Sequence, residues 1–160
     1  MPISRNCWGD EMGEMYEPLR LSNQLCFPIY LCAKELVRKY GDELNELGLT
    51  YTQYIVMMYF WEVGSSNVKD IGAALLLDPS TLTPILKKLE AKGLITRRRL
   101  PEDERNLTIS LTETGEAARE KALGVPAKMY ARIGLNDREC ETLRALINKV
   151  LENVEKENRS

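Results

Sequence analysis

A mainly α fold with one small antiparallel ribbon is predicted, and three stretches of the 160-residue sequence predict it. In the first, the apolar positions Val68, Ile71 and Leu75 after Asn67 form a one-sided stripe, the signature of a short helix. In the second, the turn residues Leu77-Asp78-Pro79-Ser80-Thr81 supply Asp, Ser and Thr oxygens that can accept from first-turn N–H groups. Leu82, Ile85, Leu86 and Leu89 then recur at i, i+3, i+4 and i+7, and Gly93 ends the helix. In the third, a basic run with Arg97, Arg98 and Arg99 leads to a charged tip over residues 101–106. Beyond it Leu107, Ile109 and Leu111 alternate with Thr108, Ser110 and Thr112, as in a half-buried strand. Helix, turn, helix and ribbon in that order describe a winged helix-turn-helix.

The other elements follow in chain order. Residues 1–18 mix Gly, Pro, Met and acidic groups and read as a loose arm. From Leu19 to about Tyr40 a helix is predicted with two apolar stripes, one through Leu21, Leu25, Ile29, Cys32 and Leu36, the other through Cys26, Tyr30, Ala33, Val37 and Tyr40. Such a helix needs two partners, its own core and a second subunit. Pro28 is expected to kink it or break its first turns. Gly41 to Leu47 reads as a separate short helical segment, ended by Gly48. Thr50 is placed to cap a helix from Tyr51 to Val63 that is apolar nearly all round and stops at Gly64. Its Met and aromatic residues read as packing, and Gly64-Ser65-Ser66 as a loop. Pro84 would delete a ladder hydrogen bond deep in a helix, so the second helix of the pair is expected to begin near Thr81. After the ribbon a polar helix from Glu113 to about Arg132 is interrupted near Gly124-Val125-Pro126. Asn136-Asp137 then caps a last helix whose Leu143, Leu146, Ile147, Val150, Leu151 and Val154 form a near-heptad seam suited to dimerisation. The division expected is an arm at 1–18, N-terminal helices carrying dimerisation and a thiol site at 19–48, the winged unit at 49–112, and C-terminal dimerisation helices at 113–160.

Composition narrows the function. The formal net charge of −2 does not advertise nucleic-acid binding, but Lys87, Lys88, Lys92, Arg97, Arg98, Arg99 and Arg105 fall in one short span. A local basic surface is what phosphate contact requires. The outer face of the second helix offers Thr81, Thr83, Pro84, Lys87, Lys88 and Ala91, small, hydroxylic or basic groups that suit a groove floor and its phosphates. The N-terminus has no apolar signal core, and the apolar stretch from Tyr54 to Trp61 is too short for a bilayer, so a cytoplasmic protein with no membrane partner is expected. There is no histidine and no C-x-x-C pair among Cys7, Cys26, Cys32 and Cys140, which argues against a structural zinc site; no cofactor is expected. In a reducing compartment the thiols are free. Cys32 reads as a small core hydrophobe, and Cys140 as filler or a second thiol. Cys26 differs, because Tyr30 one turn on and Tyr40 further along share its face, and phenolic hydroxyls can donate to a thiolate.

The segments LSNQLCFPIYLCAKELVRKY, GLTYTQYIVMMYFWE, LLLDPSTLTPILKKLEAKGLITRRR and EDERNLTISLTETG, within roughly residues 19 to 125, resemble the MarR family of winged-helix regulators. The NQLCF and LTYTQY segments are similar to its organic-hydroperoxide-sensing OhrR branch. The resemblance implies that Cys26 is the peroxide-sensing thiol, and that Tyr40 and Tyr51 hydrogen-bond it across a dimer. It further implies that Arg105 enters a minor groove with Asp103 holding it, and that Ser80, Thr81, Thr83, Lys87 and Lys88 lie on the recognition helix. Two departures stand out. Where the two-cysteine subtype has its resolving cysteine this chain has Tyr130-Ala131, and Pro79 replaces a small residue. A one-cysteine mechanism is therefore expected, with the sulfenic acid trapped by a low-molecular-weight thiol or overoxidised.

The function expected is a homodimeric repressor that binds a pseudo-palindromic operator in double-stranded DNA, senses an organic hydroperoxide through Cys26, and then releases the operator. Three rivals are distinguishable. A regulator released by a small apolar or phenolic ligand would need no thiol reaction. A thiol peroxidase would turn over with added thiol. A pure protein-interaction module would show no salt-dependent DNA binding.

Overall fold

The computed structural model describes residues 16–100 and 103–158, with side-chain surroundings for all of these except 99, 100, 103–106, 157 and 158. The elements are α1 (Cys26–Leu44), α2 (Tyr51–Val63), β1 (Ser65–Asn67), α3 (Val68–Leu75), α4 (Pro79–Ala91), β2 (Ile95–Leu100), β3 (Asp103–Leu111), α5 (Glu113–Ala122), α6 (Gly124–Ile133) and α7 (Asp137–Asn158). The expected arm lies almost wholly outside the described residues. Two 3-10 turns, Glu17–Leu19 and Leu21–Asn23, precede α1.

The helix expected from Leu19 therefore starts at Cys26, and Leu21 and Leu25 lie outside it. Pro28 is the reason. It is tolerated as the third helical residue, where an N–H has no intrahelical acceptor, and it would break any turn begun further upstream. At the other end Gly41 does not divide the helix. The chain stays helical to Leu44 and turns through Gly48 at φ +61°, with Leu49 N–H donating to the Leu44 carbonyl at 3.1 Å.

The winged unit holds most of the core. Thr50 and Gln53 form a capping box that opens α2, and Gly64 at φ +75° closes it. Tyr54, Val56, Met57 and Phe60 pack with Leu44, Ile71, Leu82, Leu86, Leu89, Ile95 and Ile109. Asn67 caps α3 by accepting from Asp70 N–H at 2.9 Å, and Leu76 takes the left-handed conformation in the turn to α4. Gly72 keeps that turn tight, since a β-carbon there would meet the Leu77 carbonyl oxygen at 2.9 Å.

Two expectations fail here for tertiary reasons. α4 begins at Pro79, not Thr81, so Pro84 is inside the helix and leaves the Ser80 carbonyl without its ladder donor. Burial of Leu82, Leu86 and Leu89 on the opposite side holds the helix through that loss. Ser65 and Ser66, expected in a loop, form with Asn67 a strand that pairs antiparallel with β3 (Ser65 opposite Ser110, Asn67 opposite Thr108), giving a sheet ordered β1-β3-β2. Without β1 the outer edge of β3 would present unpaired backbone groups.

Beyond the wing, the expected interruption falls at Leu123, between α5 and α6, and Pro126 is again a third helical residue. The Glu43 carboxylate joins α1 to α6 through Lys128 at 2.7 Å and Arg132 at 2.6 Å, and Arg132 also donates to the Lys39 carbonyl at 3.0 Å. Asn136 and Glu139 exchange the capping-box bonds that start α7. Among the described residues none of α7 is buried, and its seam residues Leu143, Leu146, Ile147, Val150, Leu151 and Val154 are all exposed in the single chain. No helix among the described residues is long and apolar enough to cross a membrane.

Candidate nucleic-acid interface and thiol site

α4 turns Leu82, Leu86 and Leu89 into the core, which leaves Ser80, Thr81, Thr83, Lys87 and Lys88 exposed together on its outer face. The Thr83 hydroxyl donates to the Pro79 carbonyl at 2.7 Å, so its outward-facing chemistry is methyl and acceptor. On β2, Arg97 stands opposite the buried Ile109 and Arg98 opposite Thr108. Period-two alternation therefore sends these neighbours to opposite faces.

Arg98 is exposed, whereas Arg97 faces inward and forms an ion pair with Glu90 of α4, its Nε donating at 2.8 Å. Arg97, expected among the DNA-contacting cations, fixes the base of the ribbon to α4 in the single chain. The hydrogen bond from Arg97 holds the Glu90 carboxyl below the usual carboxylate range, against partial desolvation. The Lys92 ammonium also has partners within the fold: it donates to the Gly48 carbonyl and to Gln53 Oε1 at 2.9 Å. No local spacing signals either contact, because one crosses a turn and the other spans thirty-nine positions. Asp103 and Arg105 are placed on β3, and their side chains lie outside the described surroundings.

Cys26 is the first residue of α1 and is exposed, beside first-turn N–H groups that have no helical acceptor. Tyr30, one turn on, is 61% exposed. Tyr40 is fourteen positions along the same helix, ~21 Å away at the helical rise. There it packs at a tilt against Tyr51, with ring centroids 4.7 Å apart, and against Tyr54 at 6.0 Å. Burial, then the neighbouring Tyr51 and Tyr130 phenols, push Tyr40 above the ordinary phenol range, so it keeps its proton at neutral pH and can donate. One chain thus assembles the phenol pair and, separately, the thiol.

Cys32, expected as core filler, is exposed in the single chain. Cys140 is half-buried in a cleft of about 230 Å³ between α6 and α7, lined by Tyr130, Ile133, Leu143, Arg144, Ile147 and Asn148. The Arg144 guanidinium donates to the Tyr130 hydroxyl there at 2.6 Å, an interaction with no counterpart in the sequence pattern. Cys7 lies outside the described residues. Among the described residues no three Cys, Asp or Glu side chains converge as metal ligands.

A recognition-type helix with an exposed hydroxylic and basic face, packed under an antiparallel ribbon, defines a winged-helix transcriptional regulator. Comparison with known proteins agrees. A family model described as "Transcriptional regulator SarA/Rot" matches residues 38–121. The chain is 37% identical over 147 residues to the organic hydroperoxide resistance transcriptional regulator of Bacillus subtilis, covering 92% of this chain and 100% of that one. Among solved structures it is similar to AbfR of Staphylococcus epidermidis, reduced and bound to DNA, at 32% identity and a TM-score of 0.73, covering 88% of this chain and 98% of that one. AbfR has also been solved overoxidised on DNA and in a disulfide-formed state. The reduced form of MarR from E. coli matches at 26% identity and a TM-score of 0.67, covering 80% of this chain and 96% of that one. The chain belongs to the MarR and SarA/Rot family of winged-helix transcriptional regulators, in the branch that contains the organic hydroperoxide regulators.

Proposed function

We propose that the chain is a cytoplasmic, homodimeric repressor that releases a pseudo-palindromic operator when an organic hydroperoxide oxidises Cys26. The observation that carries this reading is the separation of Cys26 from the Tyr40–Tyr51 pair. The ~21 Å between them along α1 cannot be closed within one straight helix, and on this reading a second copy supplies the phenols. Residues 19–48 and 113–160 would form the dimer around the winged unit at 49–112, burying the exposed faces of Leu21, Leu25, Leu146 and Val150. The names of the Bacillus regulator and of the reduced, overoxidised and disulfide-formed AbfR structures support a thiol trigger.

In the reduced dimer, Ser80, Thr81, Thr83, Lys87 and Lys88 enter a major groove, while Arg98 and the Asp103–Arg105 tip meet the flanking backbone and minor groove. Two-fold symmetry sets half-sites about one helical turn apart. In the trigger, the Cys26 thiolate sulfur attacks the outer oxygen of the hydroperoxide. The O–O bond breaks, the alkoxide leaves and takes up a proton, and sulfur carries the hydroxyl as a sulfenic acid, oxidised by two electrons while the peroxide is reduced by two. Condensation with a low-molecular-weight thiol then forms a mixed disulfide and water. Tyr30, Tyr40 and Tyr51 hold the thiolate before oxidation and lose it afterwards. A coupling of ~3 kcal/mol lowers operator affinity by about two orders of magnitude. The reaction is stoichiometric, so the protein is not an enzyme.

The open cleft beside Cys140 favours one second reading, release by a small apolar or phenolic ligand. One experiment separates the two. Reduced protein selects bound sequences from random duplex DNA, and the selected DNA is retested after one equivalent of cumene hydroperoxide, for wild type and Cys26→Ser. A palindrome released by peroxide only when Cys26 is present establishes the thiol trigger. A palindrome that peroxide leaves bound moves the trigger to a ligand, and no selected sequence removes the DNA-binding reading.

A further inference from the structure

Gln53 is the one buried polar side chain among the described residues, only 3% exposed in an otherwise apolar core. A buried amide stays in place only when its polar atoms are satisfied. Its Oε1 accepts from the Thr50 backbone N–H at 3.2 Å, closing the capping box, and from the Lys92 ammonium at 2.9 Å. The same ammonium donates to the Gly48 carbonyl in the turn between α1 and α2. Lys92 is the residue that immediately follows α4, the helix carrying the exposed DNA-facing groups, and its backbone N–H still bonds to the Lys88 carbonyl at 3.1 Å. Tyr51, whose ring packs against Tyr40, is the first residue of the helix that Thr50 and Gln53 cap.

We propose that Lys92 is a positioning residue that couples the Tyr40–Tyr51 pair to the recognition helix, through the hydrogen bonds of its ammonium to Gln53 and Gly48. The inference rests on the thiol-trigger reading and names how that trigger reaches DNA. When Tyr51 loses its thiolate partner and shifts, the start of α2 shifts with it. Gln53 and the Gly48 carbonyl then move as a pair, and the charge-assisted bonds of Lys92 pull the C-terminal end of α4. Because Gln53 is buried and its Oε1 also holds the Thr50 N–H, the amide and the start of α2 move as one, and Lys92 carries that movement to α4. The Lys92 ammonium is already engaged by the Gly48 carbonyl and Gln53, and its removal should therefore leave the reduced complex intact.

The test compares wild type, Lys92→Met and Lys92→Arg as full-length reduced protein on the selected operator duplex, before and after one equivalent of cumene hydroperoxide. Cys26 oxidation is followed in parallel by mass spectrometry. The expected result for Lys92→Met is reduced-state affinity within about threefold of wild type, unchanged Cys26 oxidation, and a loss of affinity on oxidation at least tenfold smaller than wild type. Lys92→Arg, which keeps the charge and the donors, should restore the response. A full peroxide response in Lys92→Met, or an equal drop in both redox states, overturns the coupling role.

Hydrogen exchange on wild-type protein provides a second measurement that needs no variant. Peroxide should alter exchange at the first turn of α2 and the last turn of α4 together, and protection unchanged at either end overturns the proposal. A wild-type protein that ignores peroxide removes the trigger reading itself. A responsive wild type with an equally responsive Lys92→Met removes only the coupling.

Discussion

Gly115 sits where a β-carbon would meet the Leu94 carbonyl oxygen at 2.0 Å, and its own carbonyl accepts from Trp61 Nε1 at 2.9 Å. The obstacle is a rigid backbone oxygen, and the half-buried indole that ties α2 to α5 holds Gly115's own carbonyl in place. Gly115→Ala should therefore lower stability by about 1–3 kcal/mol, read from the urea midpoint. Gly124, whose β-carbon would meet nothing within 4 Å, serves as the control, and Gly124→Ala should show no such loss. A match between the two variants would show that the close approach at Gly115 relaxes freely. Single residues also divide the basic span. Of seven nearby cations, Arg97 and Lys92 serve the fold, and sequence clustering alone could not separate them from Lys87, Lys88 and Arg98.

Among the elements, three prolines show how position decides their effect. Pro28 and Pro126 occupy third helical positions, where a missing N–H removes no bond, and they define where α1 and α6 begin. Pro84 is interior and is tolerated only because the far side of α4 is buried. The join between α1 and α6 has its own pH signature. The hydrogen bond from Lys128, with the charges of Lys128 and Arg132 and against partial desolvation, holds the Glu43 carboxyl below its usual value. A carboxyl lowered on folding contributes stability above its unfolded pKa, about 4.3, and that contribution is lost as pH falls through the lower folded value. Glu43→Gln should thus be less stable than wild type at neutral pH and should lose less stability on acidification. Urea midpoints measured between neutral and acid pH check this, and parallel curves for the two proteins would show that the ion pair does not contribute.

For the whole molecule, the distribution of burial is the informative fact. Buried apolar side chains run from Leu44 to Met129, while Leu21, Leu25 and all of the α7 seam stay exposed, Leu146 at 58%. An apolar surface that extensive on both ends of a chain is what the proposed dimer would cover. Placing a charge there, as in Leu146→Glu, should shift sedimentation from dimer to monomer, and operator affinity should fall with it because half-sites are no longer read together. A variant that sediments as wild type would place the seam elsewhere.

Much of the architecture is legible in short-range pattern. Thr50 with Gln53 and Asn136 ahead of the last helix are caps whose chemistry acts within three residues, so the starts of α2 and α7 follow from spacing. The stripes of α3 and α4, the alternation of β3 and the family resemblance around Cys26 are equally local. Other features depend on residues far apart in the chain. β1 exists because β3 has an edge to pair, and a Ser-Ser-Asn stretch carries no strand pattern of its own. The start of α4 ahead of Pro84 is set by leucines packing into a core, the place of Arg97 by a glutamate on another element, and that of Lys92 by a buried amide. The class of regulator and its candidate thiol can thus be read from the residues alone, since periodicity, capping and motif act over a few positions. Which cations remain free for DNA, and how the two ends of the winged unit are joined, emerge only on folding, since burial and ion pairing depend on what the folded chain brings into contact.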